Sequence, residues 1–590
     1  MENRRLSMEG DSNEELQIKL LTPDRHDRKG GMKTMPFIIV NEAFEKVASY
    51  GLMPNMIFYL MEVYHMEAAT GTSILSVWSA FSNGLSIFGA IISDSYLGRF
   101  RVIVMGSISA LLGMTFLWLT TMFPQLRPSS CHELDSSCSP ATATQLAFLF
   151  SCFGLLSIGS GCIGPCSIAF GADQLRKHDR ASIDNLRIID SYFNWYYASI
   201  AISTVFAFTF VVYIQDQFGW EVGFAVPVLI MLCSTLMFLL GSSLYVKIEV
   251  SQSPFSGFIQ VLILAFKNRK ISLSSDDCYN HANGMDRVEL TESLRFLNKA
   301  CVVRDSNMDS SVLNPSSLST VEKVESLKSL IRLVPVWSSG ILLSTVASQN
   351  FPTLQAKTMN RQVTSWFEIP AGSFNVFLVL TVSIWIVFYD RILVPLLAKH
   401  THEPRGLPPK TRMGIGFLIS VGAMVVSAVV ETVRRDLSRS HDNPNTTIVM
   451  SSMWLVPQYA LLGVAEAFNA IAQIEFFYSE LPKSMSSVVM ALYMMSVAIS
   501  GLVGSLLISV VDSVTSEEGK VSWLSSDINE GHIDYYYWFL AFVSLLNFFY
   551  FLICCRVHRS ISPEKSKLSD ELIGEEDSDI KHGSSTVDQS

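Results

Sequence analysis

Twelve long apolar stretches constrain the fold of this 590-residue chain more than any other feature of its sequence. A helix needs about 20 consecutive apolar residues to cross the hydrocarbon core of a bilayer. Stretches of that kind lie at about 35–62, 72–96, 101–123, 143–170, 188–214, 221–246, 330–350, 368–398, 413–433, 450–478, 487–511 and 535–555. The sequence therefore predicts an all-α membrane protein with twelve transmembrane helices.

The composition supports this prediction and excludes other classes. Apolar residues make up 49% of the chain, charged residues only 16%, and the mean hydropathy is +0.33. Soluble domains carry about 25% charged residues. The net charge of −10 has the wrong sign for a phosphate-binding surface, so nucleic acid is not an expected partner.

The apolar stretches fall into two groups of six around a long polar segment. This layout is typical of the major-facilitator fold, in which two six-helix bundles surround a pseudo-two-fold axis along the membrane normal. The predicted units are a cytoplasmic N-terminal tail (1–33), an N-terminal six-helix bundle (34–246), a cytoplasmic linker (247–328), a C-terminal six-helix bundle (329–556) and a cytoplasmic C-terminal tail (557–590).

Lysine and arginine residues are concentrated in the loops on one side, which the positive-inside rule assigns to the cytoplasm together with both termini. The opposite loops hold a glycosylation sequon at Asn445 and the pair Cys131 and Cys138, which an oxidising compartment would allow to form a disulfide. The expected location is the plasma membrane, with the vacuolar membrane as the alternative.

The linker is predicted to begin with an interfacial helix. Apolar residues recur at helical spacing from Phe255 to Phe266 and are followed by three basic residues within 267–270. This pattern indicates an amphipathic helix on the cytoplasmic membrane face. Residues 271–320 are polar and rich in Ser, Asn and Asp, which predicts a flexible segment whose serines are candidates for a regulatory kinase.

Three charged residues interrupt the first apolar stretch. Glu42, Glu45 and Lys46 lie at i, i+3 and i+4 and therefore share one helix face. A charge inside the membrane costs at least ~2.5–3.5 kcal/mol and needs a functional or structural reason. Burial and the neighbouring acid both favour the protonated form of one carboxylate, which suits a reversible proton carrier. The alternative is a cluster at a helix end among lipid headgroups.

The tenth stretch carries two acids, Glu466 and Glu475. They are nine residues apart, which is half a turn out of phase on a helix, so at most one of them points toward the centre. We expect Glu475, beside the aromatic run Phe476 to Tyr478, to face the pocket and to take part in proton coupling. The alternative is a structural ion pair near the cytoplasmic end.

A turn between the second and third stretches contains Asp94, Arg99 and Arg101. An acid, a tight glycine turn and two basic residues fit a gating contact that stabilises one conformation of the transporter. The histidines do not form metal-like spacings, and no phosphate-cradling Gly-Lys-Ser/Thr loop is present in the sequence. We therefore expect no metal, no cofactor and no enzyme activity.

Several longer motifs are those of the plant nitrate/peptide transporter family, a branch of the proton-coupled oligopeptide transporters. They are Glu42-Ala43-Phe44-Glu45-Lys46, Gly89 to Arg99, Phe170-Gly171-Ala172-Asp173-Gln174, Phe193-Asn194-Trp195-Tyr196-Tyr197, Pro335-Val336-Trp337, Tyr389-Asp390-Arg391, Arg412 to Gly416 and Pro457 to Tyr478. The chain resembles this family over nearly all twelve stretches. The resemblance implies a secondary carrier whose partners are a small solute, protons and the lipid bilayer.

Departures from the family pattern bear on the solute. The family's fourth span usually carries a Lys or Arg that is thought to pair with the tenth-span acid, and Gly164 stands at that place here. The signature of peptide carriers is changed between Val47 and Gly51, and the histidine of one nitrate carrier aligns with Ala347. Nitrate is the leading candidate, with Lys46 as its cation; an organic anion, a plant hormone or a peptide is the alternative.

Other residues expected to line the pocket are Tyr50, Tyr196, Trp337, Gln349, Asn350 and Phe476, besides Lys46. Two rival functions stay open. One is a solute-sensing receptor on a transporter scaffold, and the other is a facilitator that runs downhill without protons.

Overall fold

The computed structural model describes residues 30–129, 140–175, 183–247, 254–270, 278–280, 290–303, 319–401, 406–439, 448–482, 485–516 and 521–561. The predicted glycosylation site Asn445 and the predicted disulfide pair Cys131 and Cys138 lie outside these ranges, as does most of both predicted tails.

Six long helices form the first half of the molecule. They are α1 (Met35–Glu62), α2 (Ala68–Ile92), α3 (Arg99–Met122), α4 (Ala143–Leu175), α5 (Ile183–Phe206) and α6 (Val212–Leu240). A π-helical turn, Ala207–Val211, joins α5 to α6, and the true break comes later, at Gly219. Gly219 has φ 77°, a left-handed conformation that glycine adopts without steric cost, so the chain turns back there.

A short helix and two short strands follow the first half. Helix α7 spans Pro254–Lys267, and strand β1 (Cys278–Tyr279) pairs antiparallel with β2 (Val302–Val303). A 3₁₀ helix, Arg295–Ala300, precedes β2 and buries Leu297 completely. The sequence predicted a flexible segment here, and the structure differs over residues 290–303. The apolar side chains of this segment pack against α7, which repays the entropy of ordering it.

Eight helices form the second half, most of them long. They are α8 (Val321–Ala347), α9 (Phe351–Thr358), α10 (Asn375–Phe388), α11 (Val394–Thr401), α12 (Pro409–Arg439), α13 (Val456–Glu480), α14 (Ser486–Thr515) and α15 (Ile533–Ile561). Four short strands lie between them: β3 (Met359–Asn360) pairs parallel with β6 (Ile448–Ser451), and β4 (Gln362–Thr364) pairs antiparallel with β5 (Phe367–Glu368). A π-helical turn, Tyr389–Leu393, makes α10 and α11 one continuous rod.

Ten helical stretches in the described residues are long and apolar enough to cross a membrane. One of them, Ser191–Ser243, is 53 residues long and contains the break at Gly219, so it can be divided into two crossings. Helix α1 is 28 residues long, and its charges are those of Glu42, Glu45, Lys46 and the terminal Glu62. The sequence predicts twelve crossings, and that number is reached only if this stretch is counted twice and α1 is added to the ten.

Buried apolar side chains are distributed differently at the two ends of the molecule. One large cluster runs through both halves and includes Leu75 of α2 and Phe374 just before α10. At the opposite end, where α1 begins and α15 ends, the buried side chains form two clusters, one in each half. We call the first the closed end and the second the terminus end. Among the described residues, buried apolar side chains of the two halves share a cluster at the closed end and form separate clusters at the terminus end.

Close backbone contacts and ion pairs hold the closed end together. A Cβ on Gly501 of α14 would lie 2.4 Å from the carbonyl oxygen of Ser76 on α2, so only glycine allows this approach. Lys357 pairs with Glu62 across the halves. Arg361 lies 2.6 Å from Glu368 and 3.9 Å from Asp216.

Candidate functional site

The charged face of α1 lies inside the first half rather than in solvent. Glu42 is 1% exposed and Glu45 is 0% exposed. The ammonium nitrogen of Lys46 lies 2.8 Å from Glu45 Oε2 and 3.4 Å from Glu42 Oε1. Helical spacing brings the three side chains together, as the sequence predicts. One cation therefore serves two buried carboxylates.

Polar neighbours complete the site around these three residues. Ser49 donates its hydroxyl to Glu45 Oε1 at 2.8 Å. Ser167 of α4 and Tyr196 of α5 lie next to the Glu42 carboxylate, and Tyr196 is 2% exposed. The ring of Tyr50 has the Lys46 ammonium 5.5 Å from its centroid, a cation–π contact. The structure thus brings Lys46, Tyr50 and Tyr196 together.

Two buried carboxylate oxygens of this site, Glu45 Oε2 and Glu42 Oε2, lack a hydrogen-bond partner in the described residues, although Glu45 Oε2 has the Lys46 ammonium beside it. Glu42 Oε2 is buried and makes no hydrogen bond in the described part of the chain. A buried carboxylate oxygen without a donor is costly in the ionised form and much less so once protonated.

The two acids of α13 lie in different surroundings, and Glu466 is the one near Tyr493 of α14. Glu466 is partly buried on α13, and within the described residues it has no ion-pair partner. Tyr493 of α14 lies close enough to interact electrostatically with both Glu466 and Tyr50. Helix phase indicates that at most one of the two acids faces inward, but it cannot say which one, so the expectation of Glu475 in the pocket stays a prediction.

Glu475 instead belongs to an ion pair between helices of the second half. Its Oε2 accepts a hydrogen bond of 2.5 Å from Arg412 of α12. The Arg412 guanidinium also lies over the ring of Tyr389, 4.9 Å from its centroid. The structural ion pair that the sequence left open as the alternative for Glu475 is what the structure contains.

Four other predicted lining residues pack within the second half. The indole of Trp337 donates to the carbonyl oxygen of Leu492 at 2.8 Å, so this ring is fixed between α8 and α14. Phe476 is 3% exposed and lies against Lys410 and His558. Neither side chain is brought to Lys46 by the fold.

Gln349 and Asn350 lie toward the closed end. The Gln349 carboxamide donates to the Thr345 carbonyl at 2.7 Å and accepts from the Tyr536 hydroxyl at 3.1 Å. Asn350 immediately precedes α9 and receives the backbone N–H of Thr353 on its carbonyl oxygen. These contacts explain why both are ordered, and they place both among second-half residues.

The predicted gating turn forms ion pairs at the terminus end of the first half. Arg99 Nε lies 3.1 Å from Asp94 Oδ1, and the same guanidinium pairs with Asp173 of α4. The side chain of Arg101 is exposed. Asp173 was not among the predicted gating residues, although it lies in a quoted family motif. It is 74 positions from Arg99, and helical spacing does not predict a contact over that distance.

Space is open beside Gly164 of α4, the position at which the family resemblance implies a Lys or Arg. A Cβ at Gly164 would have no atom within 4 Å. Across the described residues, no group of three or more His, Cys, Asp and Glu side chains is arranged to hold a metal ion.

Comparison with known proteins shows which family these features belong to. The POT family model (PTR2) matches residues 100–524. The chain belongs to the POT family. Protein NRT1/PTR FAMILY 1.2 of Arabidopsis thaliana, one of its relatives, is 47% identical over 564 residues, which cover 93% of each chain.

Solved structures of POT family transporters share the fold. PepTSo is 18% identical, with a TM-score of 0.67, and the match covers 90% of this chain and 99% of PepTSo. A POT family transporter in complex with 5-aminolevulinic acid is 14% identical, with a TM-score of 0.59 and coverage of 90% and 98%. This POT family member is therefore a multi-pass membrane transporter of the major-facilitator type, and it is not an enzyme.

Proposed function

We propose that this POT family member is a proton-coupled symporter that moves a small anion, with nitrate as the first candidate, by alternating access. The proposal rests on one arrangement: Lys46 is held between the carboxylates of Glu45 and Glu42. An anion can use Lys46 only when those carboxylates have lost their charge, so anion binding and proton binding depend on each other.

The charge of the three groups follows directly from their protonation. With both acids ionised, the site carries one net negative charge and repels an anion. One proton makes it neutral, and a second leaves the Lys46 ammonium uncompensated. Glu42 and Glu45 are both buried, and burial penalises an uncompensated charge on either side of this balance. We propose that uptake follows the second protonation.

Glu466 supplies a proton-accepting group from the second half. It interacts electrostatically with Tyr493, which in turn interacts with Tyr50 of α1, and it has no cationic partner in the described residues. Gly164 leaves space where a cation is usual in the family, so Glu466 would carry its own proton during part of the cycle. A carboxylate in each half is a suitable basis for coupling protonation to the movement of the halves.

The separate cores at the terminus end support an inward-facing state. We propose that this end is cytoplasmic, as the positive-inside rule indicates, and that the plasma membrane is the location. In this assignment, the pairs of Lys357 and Arg361 close the outer side. The Arg99 pairs with Asp94 and Asp173 would hold the first half together during the movement.

A larger organic anion is the second candidate. Aromatic rings lie around the charged site, among them Tyr50, Tyr196 and Tyr493. A separate cavity of about 270 Å³ between α2 and α14 is lined only by apolar or glycine residues, including Phe81 and Phe88. Aromatic and apolar surfaces bind a ring-containing anion more readily than they bind nitrate.

The decisive experiment measures uptake at external pH 5.5 and 7.4 in oocytes, with ¹⁵N-nitrate and a set of organic anions supplied in turn. We expect uphill accumulation of one anion at pH 5.5, loss of accumulation in Glu45→Gln, and normal surface abundance of that variant. Glu221→Gln, a change at an exposed carboxylate, is the matched control and should behave as the unmodified chain.

Each contrary result points to a different function. Full uphill uptake by Glu45→Gln refutes the proton role of the α1 site. Downhill flux that ignores pH indicates an uncoupled facilitator, and solute-dependent signalling without flux indicates a receptor.

A further inference from the structure

The segment 290–303 is attached to α8 by a small polar cluster at the terminus end. Thr291 donates its backbone N–H to Glu325 Oε1 at 2.9 Å. Lys328 is 0% exposed and donates to the Thr291 carbonyl at 2.7 Å and to Glu325 Oε1 at 2.6 Å. One buried cation and one carboxylate therefore bind a single residue of the linker.

Within the described residues, the partners of a second cation in this cluster are hydroxyl groups. Arg332 Nη2 donates to Thr291 Oγ1 at 2.8 Å and contacts Ser293 Oγ. Its Nε is buried and makes no hydrogen bond in the described part of the chain. In the contacts of the described residues, Lys328 pairs with Glu325 whereas Arg332 meets hydroxyl groups, and the fork geometry of its guanidinium suits a phosphate.

We propose that Ser293 is a phosphorylation site whose phosphate binds Arg332 and fixes segment 290–303 on α8. In this step, Ser293 Oγ attacks the γ-phosphorus of a nucleoside triphosphate held by a protein kinase. The new O–P bond replaces the bond to the nucleoside diphosphate, which leaves, and the hydroxyl proton passes to the kinase. A phosphate adds about −1.5 to −2 charges and three acceptor oxygens next to Arg332.

Ser293, rather than Thr291, is suited to carry the phosphate. Thr291 Oγ1 lies 2.9 Å from Glu325 Oε2 and 3.1 Å from Oε1, so a phosphate there would face a carboxylate. Ser293 Oγ contacts Arg332 and, at 3.3 Å, the Thr291 hydroxyl. Like-charge repulsion therefore excludes Thr291 and leaves Ser293.

The test installs phosphoserine at position 293 of the full chain by genetic code expansion. Trypsin cleavage after Arg295, which is 56% exposed, then reports how often the segment detaches. We expect the phosphate to slow cleavage about tenfold, in keeping with one new charge-assisted contact. The slowing should disappear with Arg332→Gln and return in part with Arg332→Lys, whereas phosphothreonine at 291 should speed cleavage.

Two results overturn the proposal. One is equal or faster cleavage of the chain carrying phosphoserine at 293 when Arg332 is intact. The other is a chain purified from plant cells with phosphatase inhibitors whose peptide 290–303 carries no phosphate at Ser293 by mass spectrometry. Neither readout depends on transport, so the outcome is independent of the proposed symport.

Discussion

Lys46 and Glu45 are adjacent residues whose charged groups lie 2.8 Å apart on one buried face of α1, and the same ammonium is 3.4 Å from Glu42. Removing Lys46 would leave two buried carboxylates without a cation. Breaking a buried pair in this way typically lowers the free energy of unfolding by about 3–5 kcal/mol, unless a proton neutralises the carboxylate that has lost its cation.

We therefore expect Lys46→Met to lower the melting temperature of the purified protein at pH 7.5 and to lose less stability at pH 5.5, where protons replace the missing cation. Thermal unfolding in detergent at the two pH values measures this difference. Lys46→Arg keeps the charge and should show little pH-dependent loss. A pH-independent loss in Lys46→Met would mean that the carboxylates do not take up protons.

The two acids of α13 should respond differently to the same substitution. Glu466→Gln removes a carboxylate that interacts with Tyr493, and we expect it to abolish proton-driven accumulation of the solute while exchange persists. Glu475→Gln weakens a pair with Arg412 and should lower stability by about 1–3 kcal/mol with coupling retained. Uptake with and without a pH gradient measures coupling in the two variants, and melting curves measure their stability. Loss of coupling in Glu475→Gln but not in Glu466→Gln would assign the coupling role to Glu475.

The ion pairs at the closed end should control how often that end opens. Arg361 is 16% exposed and lies near Glu368 and Asp216, whereas the Lys357–Glu62 pair is about half exposed and contributes at most about 1 kcal/mol. We expect Arg361→Gln to increase the solvent accessibility of residues buried at the closed end more than Lys357→Gln does.

A cysteine at Ser76, under the close contact with Gly501, reports this accessibility. Its labelling by a membrane-impermeant maleimide, measured on peptides by mass spectrometry, should be several-fold faster with Arg361→Gln. Equal rates in the two variants would show that apolar packing alone keeps this end closed.

His532 at the closed end should make stability depend on pH. Burial first, and then the positive charge of Arg435, lower the pKa of His532 below its ordinary value, although Asp534 opposes the shift. Arg435 Nη2 lies 2.8 Å from His532 Nε2, Arg439 adds further positive charge, and the ring stacks on Tyr535. The folded protein therefore favours the neutral imidazole of His532.

With a lowered pKa in the folded state, the unfolded chain binds the proton more readily. The stabilisation that comes from the neutral His532 is complete above about pH 6.5, the pKa of histidine in the unfolded chain. It is lost as the pH falls toward the lower pKa of His532 in the folded state. We expect the melting temperature to fall between pH 7.5 and 5.5 and to fall less in His532→Gln. An equal fall in both proteins would assign the pH dependence to other groups.

The sequence by itself determined the membrane fold, because the apolar stretches are long enough to cross a bilayer and helices satisfy their own backbone groups there. It also determined that Glu42, Glu45 and Lys46 meet, since their contact is set by spacing within one helix. The family motifs are also short local patterns, and they indicated a transporter.

Contacts between distant helices were decided only by the tertiary structure. The different partners of the two acids of α13, the pairing of Arg99 with Asp173, and the docking of Ser293 on Arg332 depend on how helices far apart in sequence rotate and pack. Periodicity fixes which residues share a helix face but leaves the rotation of that helix free until neighbouring side chains bury it.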